Sequence, residues 1–379
     1  MASETSSDAY PSQSVLTVDL AAIVENYRDL QARIASSGAA CAAVIKADAY
    51  GLGAAKVAPA LVAAGCKAFY VAQLGEAVTV RDALPPGNPA DIFVLSGLFP
   101  GEAGAYRERN LTPVLNDLGQ IERWSQAARK AGRAFSAVVH FDTGMSRLGL
   151  SPAEADRLAA EPARLAGLDI RYWLSHLACA DEPEHPLNRE QLARIKALAG
   201  KLPKAPISFA NSSGIFLGPD YHFAQCRPGC ALYGINPVPG QPNAMRQVAR
   251  LDAKVLQIRT IDRPQTVGYG ATHRAAGPTR VGTIAVGYAD GWLRSLSSRG
   301  FAIFNGIKVP FLGRVSMDLI TIDATAVPQL QPGDFVELMG NTLTSDHVAD
   351  IAGTIGYEVL TRLGSRFHRR YVNGPAASA

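Results

Sequence analysis

Lys46 closes an apolar run inside A-A-V-I-K-A-D-A-Y-G-L-G, residues 42–53. The small and β-branched residues before it predict a strand, and the Gly-containing segment after it predicts a loop. A lysine at a strand tip has two readings: it snorkels its ammonium into water, or it keeps a partly desolvated amine nucleophilic for imine chemistry. More groups capable of chemistry follow. Asp142 and Arg147 lie in H-F-D-T-G-M-S-R-L-G, and His176 in L-S-H-L-A-C-A-D. Asn211 and Ser212 lie in A-N-S-S, and Arg227 lies in C-R-P-G-C with Gly229 and Cys230.

The elements that must position these groups can be read from hydrophobic patterning. Short apolar runs at 41–46, 68–72, 91–95, 111–115, 134–141, 168–175, 206–210 and 222–226 predict eight strands. Between most of them lie stretches with apolar residues at three- and four-residue spacing, such as G-Q-I-E-R-W-S-Q-A-A-R-K-A. Eight strands with crossover helices point to a (β/α)8 barrel, an α/β fold, with an open doubly wound sheet as the alternative. Barrel chemistry sits at the C-terminal strand ends. Lys46 ends the first strand, Asp142 and Arg147 leave the fifth, His176 ends the sixth, Asn211 and Ser212 the seventh, and Arg227 the eighth. The loops after the last two strands are where barrels often bind phosphate, using N–H groups and a serine hydroxyl. A lysine for an imine beside a phosphate cradle fits pyridoxal phosphate (PLP). A sugar-phosphate aldolase or isomerase uses the same parts, and the pattern alone leaves both open.

After about residue 245 strands follow one another without helices, which predicts a mainly antiparallel β domain, with one late helix from Asp346. The division expected is a flexible tail over 1–13, a barrel over 14–245 and the β domain over 246–379. With 47% apolar and 18% charged residues and a net charge of +4, the 379-residue chain has a globular profile and suggests no nucleic-acid or membrane partner. Arg366, Arg369 and Arg370 read as a solvated face. The five cysteines are odd in number and lack CxxC spacing, which fits reduced thiols in a cytoplasmic protein. His140, His185 and His222 lack metal-ligand spacing, so no metal is expected. The first residues lack a signal-peptide layout, and no apolar stretch approaches the length of a membrane span.

The motifs themselves carry a resemblance. A-V-I-K-A-D-A-Y-G-L-G, D-T-G-M-S-R-L-G, S-H-L-A-C-A-D, A-N-S-S, R-P-G-C-A-L-Y-G, V-G-Y-G, V-G-Y-A-D-G, G-R-V-S-M-D and T-I-G-Y-E occur in the order seen in alanine racemases. The chain resembles that family over essentially its whole length after the tail. The resemblance implies a PLP-dependent isomerase, a barrel plus β domain working as a head-to-tail homodimer on a small amino acid, interconverting L- and D-alanine and supplying D-alanine for peptidoglycan. Lys46 would hold PLP and act as a base on one face of the substrate. Tyr269 would be the base on the other face, reaching in from the partner subunit; a tyrosine needs its phenolate favoured to do this near neutral pH. A chain through His176 to Arg227 would supply that, and Arg227 would face the pyridine nitrogen.

By the same resemblance Tyr50, Ser212, Gly229, Cys230 and Tyr357 belong to the phosphate site, with His176, Asn211 and Arg227 also on the cofactor. Arg147 would face the substrate carboxylate, with Met317 and Asp318 from the partner. Tyr288 and Tyr357 would narrow the entrance, and Asp181, Arg294 and Arg314 would line the corridor outside. Tyr50 and Tyr288 also read as packing aromatics, and Asp142 as a turn residue. Two positions depart from the family pattern. Some members carry a carbamylated lysine where His140 stands, so Arg147 must be oriented otherwise, by His140 itself or a small anion. Cys230 stands where isoleucine is frequent. Competing classes are a non-catalytic PLP-binding barrel, which lacks the β domain, a PLP decarboxylase, which pairs the pyridine nitrogen with a carboxylate, and a broader or serine racemase.

Overall fold

The computed structural model describes residues 12–374, and two compact units emerge, Ile23–Arg246 and Met1–Ala22 with Gln247–Ala379. Residues 1–11 of the expected tail lie outside the described residues. The first strand, β1 (Ser14–Asp19), corrects the expected division. It was placed with the barrel but belongs to the second unit, so the barrel segment starts at Ile23 rather than residue 14. Its six residues alternate between buried and half-buried positions, the signature of a strand with one covered face.

The barrel unit contains β2 (Ala40–Cys41), β3 (Ala43–Val44), β4 (Ala68–Val71), β5 (Asp91–Val94), β6 (Thr112–Leu115), β7 (Phe135–His140), β8 (Leu168–Leu174), β9 (Ile207–Ser208) and β10 (Gln225–Cys226). Each pairs in parallel with its neighbours. β2 and β3 are halves of one strand interrupted at Ala42. One half pairs with β10 and the other with β4, while Ala42 N donates to Cys226 O at 2.9 Å and carries the first strand across the gap. The sheet therefore returns on itself, and the barrel reading holds over the open-sheet alternative. All four residues of β4 and of β6 are buried, which explains why such strands read as continuous apolar runs rather than alternating ones.

The second unit holds β11 (Ala249–Ile261), β12 (Gln265–Val267), β13 (His273–Ala275), β14 (Thr279–Ile284), β15 (Phe301–Phe304), β16 (Ile307–Pro310), β17 (Ile320–Asp323), β18 (Phe335–Met339) and β19 (His368–Val372). Its main sheet runs β16-β15-β18-β11-β1-β19, and β14 pairs with the far half of β11 and with β17. Every pairing in it is antiparallel except β1 with β19. Leu251, Ala253 and Val255 of β11 are fully buried and anchor this core. The late helix forms at Ser345–Ala352, where Thr344 accepts from His347 N at 3.3 Å. A second short helix, Gly356–Thr361, carries Tyr357 and was not anticipated. Among the described residues no helix is long and apolar enough to cross a membrane.

Candidate active site

Lys46 follows β3 directly, and the chain then does something rare. Ala47, Asp48, Ala49 and Tyr50 all have positive φ, between 51° and 57°, forming a left-handed turn of non-glycine residues. Such a conformation costs roughly 1–2 kcal/mol per residue, so it persists only where surrounding bonds over-determine it. Ala49 N donates to Ile45 O at 2.9 Å and Gly53 N to Asp48 O at 2.8 Å. Ala54 N donates to the Asp48 carboxylate at 2.7 Å, and Ala47 N donates to Glu76 at 2.7 Å. The turn delivers Tyr50 inward, buried and stacked on Tyr233 with ring centroids 4.7 Å apart.

The cradle opposite Tyr50 is built by the last two barrel loops. Ser212 Oγ accepts from Gly229 N at 2.8 Å and from Ala231 N at 3.3 Å. A hydroxyl that accepts twice has its own O–H left to donate. A Cβ at Gly229 would collide with the Tyr50 hydroxyl, so only glycine lets these two loops meet. Cys230 is buried beside them, in the short helix Cys230–Tyr233. The Asn211 side chain is engaged in the fold: its oxygen accepts from Gly214 N at 2.9 Å, and its nitrogen donates to Leu177 O at 3.4 Å.

Arg227 leaves β10 and is buried, with no carboxylate bonded to it among the described residues. Nη1 donates to Ser208 Oγ at 2.7 Å, and Nη2 donates to Ser175 O at 2.7 Å and Phe209 O at 3.2 Å. Ser208 in turn donates to Gln225 Oε1 at 2.9 Å, which also receives the Tyr70 hydroxyl at 2.6 Å. Nη2 further faces His176 Nδ1 at 3.4 Å. Guanidinium only donates, so Nδ1 accepts and the His176 proton sits on Nε2. Burial, and then Arg227, push the His176 pKa well below its ordinary value, so the ring is neutral. His140 is neutral too, its pKa lowered to about 3 by burial and then by Arg227 and Arg147. The Asn116 amide nitrogen donates to Leu95 O and Val114 O, which leaves Oδ1 to accept from His140 Nδ1 at 2.8 Å.

Arg147 stands exposed on the loop after β7. Asp142 organises that loop by accepting from Gly144, Met145 and Ser146 N at 2.9, 2.9 and 3.1 Å. Burial raises its carboxyl pKa, but the three amide bonds outweigh it and the net shift is downward. This makes Asp142 the turn residue expected of it. Lys46 is half-buried, and its pKa is lowered by burial and then by Arg147, against an opposing pull from Glu76. One barrel mouth thus carries three cationic side chains and two neutral imidazoles, while the nearby carboxylates of Glu76 and Asp142 are occupied by backbone amides. Such a mouth suits a ligand with more than one anionic group and offers it an amine.

Of the remaining sequence-selected residues, Asp181 is exposed on the barrel unit and the others lie on the second unit. Tyr269 is 73% exposed on the turn after β12, between Gly268 and Gly270. Tyr288 N donates to Ser316 O at 3.0 Å and Ala289 N to Met317 O at 2.9 Å, which seats that turn against the Met317 loop. Met317 and Tyr357 are exposed. The Asp318 carboxylate accepts from Arg366 at 2.8 Å.

The alanine racemase N-terminal domain profile matches residues 18–237, and the C-terminal domain profile matches residues 248–371. The chain belongs to the alanine racemase family. Catabolic alanine racemase from Mesorhizobium japonicum is 51% identical over 363 residues, 95% of this chain and 94% of that protein. Alanine racemase from Rhodospirillum rubrum is 51% identical over 360 residues, 94% of this chain and 96% of that protein. Among solved structures, alanine racemase from Bartonella henselae, with covalently bound pyridoxal phosphate, superposes with a TM-score of 0.91 at 42% identity. That match covers 96% of this chain and all of the other.

Several site-supporting residues of this alanine racemase family member escaped the sequence reading. Glu76, Asn116 as the partner of His140, and the Tyr70–Gln225–Ser208 chain behind Arg227 are the main ones. Only Glu76 left a local signal: an acidic residue three positions after Gln73, at the start of a helix following a strand, has the spacing of a capping box.

Proposed function

We propose that this chain racemises alanine with PLP by a two-base proton transfer, using Lys46 on one face of the substrate and a partner subunit's copy of Tyr269 on the other. The enzyme is a PLP-dependent isomerase of the alanine racemase class. When bound, the cofactor supplies an electron sink that makes the substrate's α-proton acidic. The residues present fit it. Ser212 has its hydroxyl proton to offer to a phosphate, the Gly229 and Tyr50 loops close around the same place, and Lys46 has a pKa lowered toward the free amine. Tyr50, Ser212, Gly229 and Cys230 would hold the phosphate, with Tyr357 assigned to the same group. Arg227, locked by neutral oxygens and unable to surrender its proton, would face the ring nitrogen as a donor.

The observation that carries this reading is the neutral His176 acceptor facing Arg227. It leaves Nε2–H as a fixed donor, suited to hold a phenolate oxygen of an incoming tyrosine. Lys46 and Tyr269 then take and return the proton on opposite faces, as racemisation requires. Arg147, with Met317 and Asp318 from the partner, would hold the substrate carboxylate, and Tyr288 would restrict the side chain. Homodimer formation is supported by the exposure of Tyr269, Met317, Ile355 and Tyr357 on the second unit, at 73%, 54%, 61% and 37%.

The test is a D/L amino-acid panel with PLP, run on the parent, Lys46→Ala and Tyr269→Phe. The expected result is loss of activity in Lys46→Ala. In Tyr269→Phe, proton abstraction should fall about 10²–10⁴-fold for one enantiomer and far less for the other; equal loss from both would overturn the two-base assignment. The product role proposed is D-alanine for peptidoglycan. D-alanine auxotrophy of a deletion strain is expected, and unimpaired growth without D-alanine would favour a catabolic role, the one named for the Mesorhizobium relative.

A further inference from the structure

Glu76 sits in the first turn of the helix Leu74–Ala83, after the second barrel strand, and its two oxygens serve different loops. Oε2 accepts from Ala72 N at 2.7 Å and Gln73 N at 3.1 Å, closing the start of its own helix. Oε1 accepts from Ala47 N at 2.7 Å, the amide that follows Lys46 and opens the left-handed turn. Three amides from two neighbouring barrel loops therefore converge on one carboxylate. The other side-chain anchor of that turn, Asp48 on Ala54 N, comes from within the same segment. Glu76 thus ties the entry of the turn, at Ala47, to a neighbouring element.

We propose that Glu76 is the positioning residue for Lys46, holding the strained turn so that the amine stays fixed at the barrel mouth. This rests on the reading of Lys46 as the residue that holds the cofactor. The chemistry demands a carboxylate of this length. Glutamine has one acceptor oxygen and would point an NH2 group at amide donors, while aspartate is one methylene too short to span both loops. Charge acts in the same direction. The ionisable groups coupled to Lys46 are Arg147, His176 and Glu76, and Glu76 is the anion among them. It offsets part of the push that burial and Arg147 exert on the amine.

The test uses the full chain with its cofactor bound, comparing the parent with Glu76→Gln, Glu76→Asp and Gln73→Ala. Hydrogen exchange is read on the peptide covering residues 46–53, together with the rate at which cofactor absorbance is lost on dilution. Glu76→Gln should speed exchange in the turn on the order of tenfold, the effect of losing one charge-assisted bond, and should release cofactor faster. Glu76→Asp keeps the charge and can still serve the helix start, yet should show the same local loosening. Gln73→Ala alters the same helix start without touching the Ala47 bond and should match the parent. Unchanged turn exchange in both Glu76 variants overturns the proposal, and so does equal loosening in Gln73→Ala. Lys46→Ala separates the two claims. If it retains cofactor as tightly as the parent, the reading of Lys46 fails whatever the Glu76 variants do to the turn.

Discussion

The barrel mouth and the exposed face of the second unit are built on opposite terms. In the barrel, functional side chains are immobilised by protein partners: Arg227 by Ser208 and two carbonyls, His140 by Asn116, the exit from Lys46 by Glu76. On the second unit, Tyr269 and Met317 stand more than half exposed. Fixed donors and acceptors cost no reorganisation at the moment of reaction, so the barrel side carries its preorganisation within one chain. An exposed tyrosine on a glycine-flanked turn carries none, and gains it only when another surface covers it. The contrast teaches that the two proposed bases differ in preparation: one is held by folding, and the other would depend on the proposed partner subunit.

The largest expected effect comes from disturbing the packed side. Gly229→Ala places a methyl against the Tyr50 hydroxyl, and Tyr50 has little room to retreat because it is buried and stacked on Tyr233. Overpacking of this kind costs about 1–3 kcal/mol. Cofactor affinity should fall by about one to two powers of ten, as measured by titrating the cofactor-free chain with PLP; unchanged affinity would show that the loops yield more easily than the packing implies.

A paired measurement sharpens the contrast. Ser208→Ala leaves Arg227 Nη1 without its 2.7 Å acceptor in a buried setting, which should cost about 1–3 kcal/mol of stability in denaturant unfolding. Tyr269→Phe, at an exposed position, should change the unfolding midpoint of the same chain by no more than about 0.5 kcal/mol. Equal losses from the two would remove the distinction between a folded-in and an assembled half.

Much of this was legible in the residues, for physical reasons. Strands such as β4 read as apolar runs because all their residues are buried, and reactive types at the strand ends mark the mouth. β1 was assigned to the wrong unit because S-V-L-T-V-D gives only its own alternation, whereas its partners β11 and β19 lie far downstream. Glu76 went unread, although its place three residues after Gln73 matches the helix-start role it fills. Its bond to Ala47 arises because parallel pairing of β3 with β4 sets the loops after them side by side. The left-handed turn was invisible since Ala, Asp and Tyr have no preference that announces it. Asn211 read as a cofactor residue from its place in A-N-S-S, while its side chain is engaged with Gly214 and Leu177.

A last prediction concerns pH and the neutral side of the mouth. His140 has its pKa lowered from 6.5 to about 3, with burial the leading cause, ahead of Arg227 and Arg147, and with Asp142 pulling the other way. Between those two values the unfolded chain binds a proton at this position and the folded chain does not. Stability therefore rises with pH through that window. The contribution is complete above the unfolded value of 6.5 and is lost as pH falls toward about 3. His140→Gln removes the titrating group, and its amide can still donate to Asn116. The variant should show a shallower fall in unfolding free energy between about pH 6.5 and pH 4 than the parent. A parent and variant with the same slope would mean that His140 opens to water and protonates in the folded state, which would make the barrel mouth less rigid than the contrast with the second unit requires.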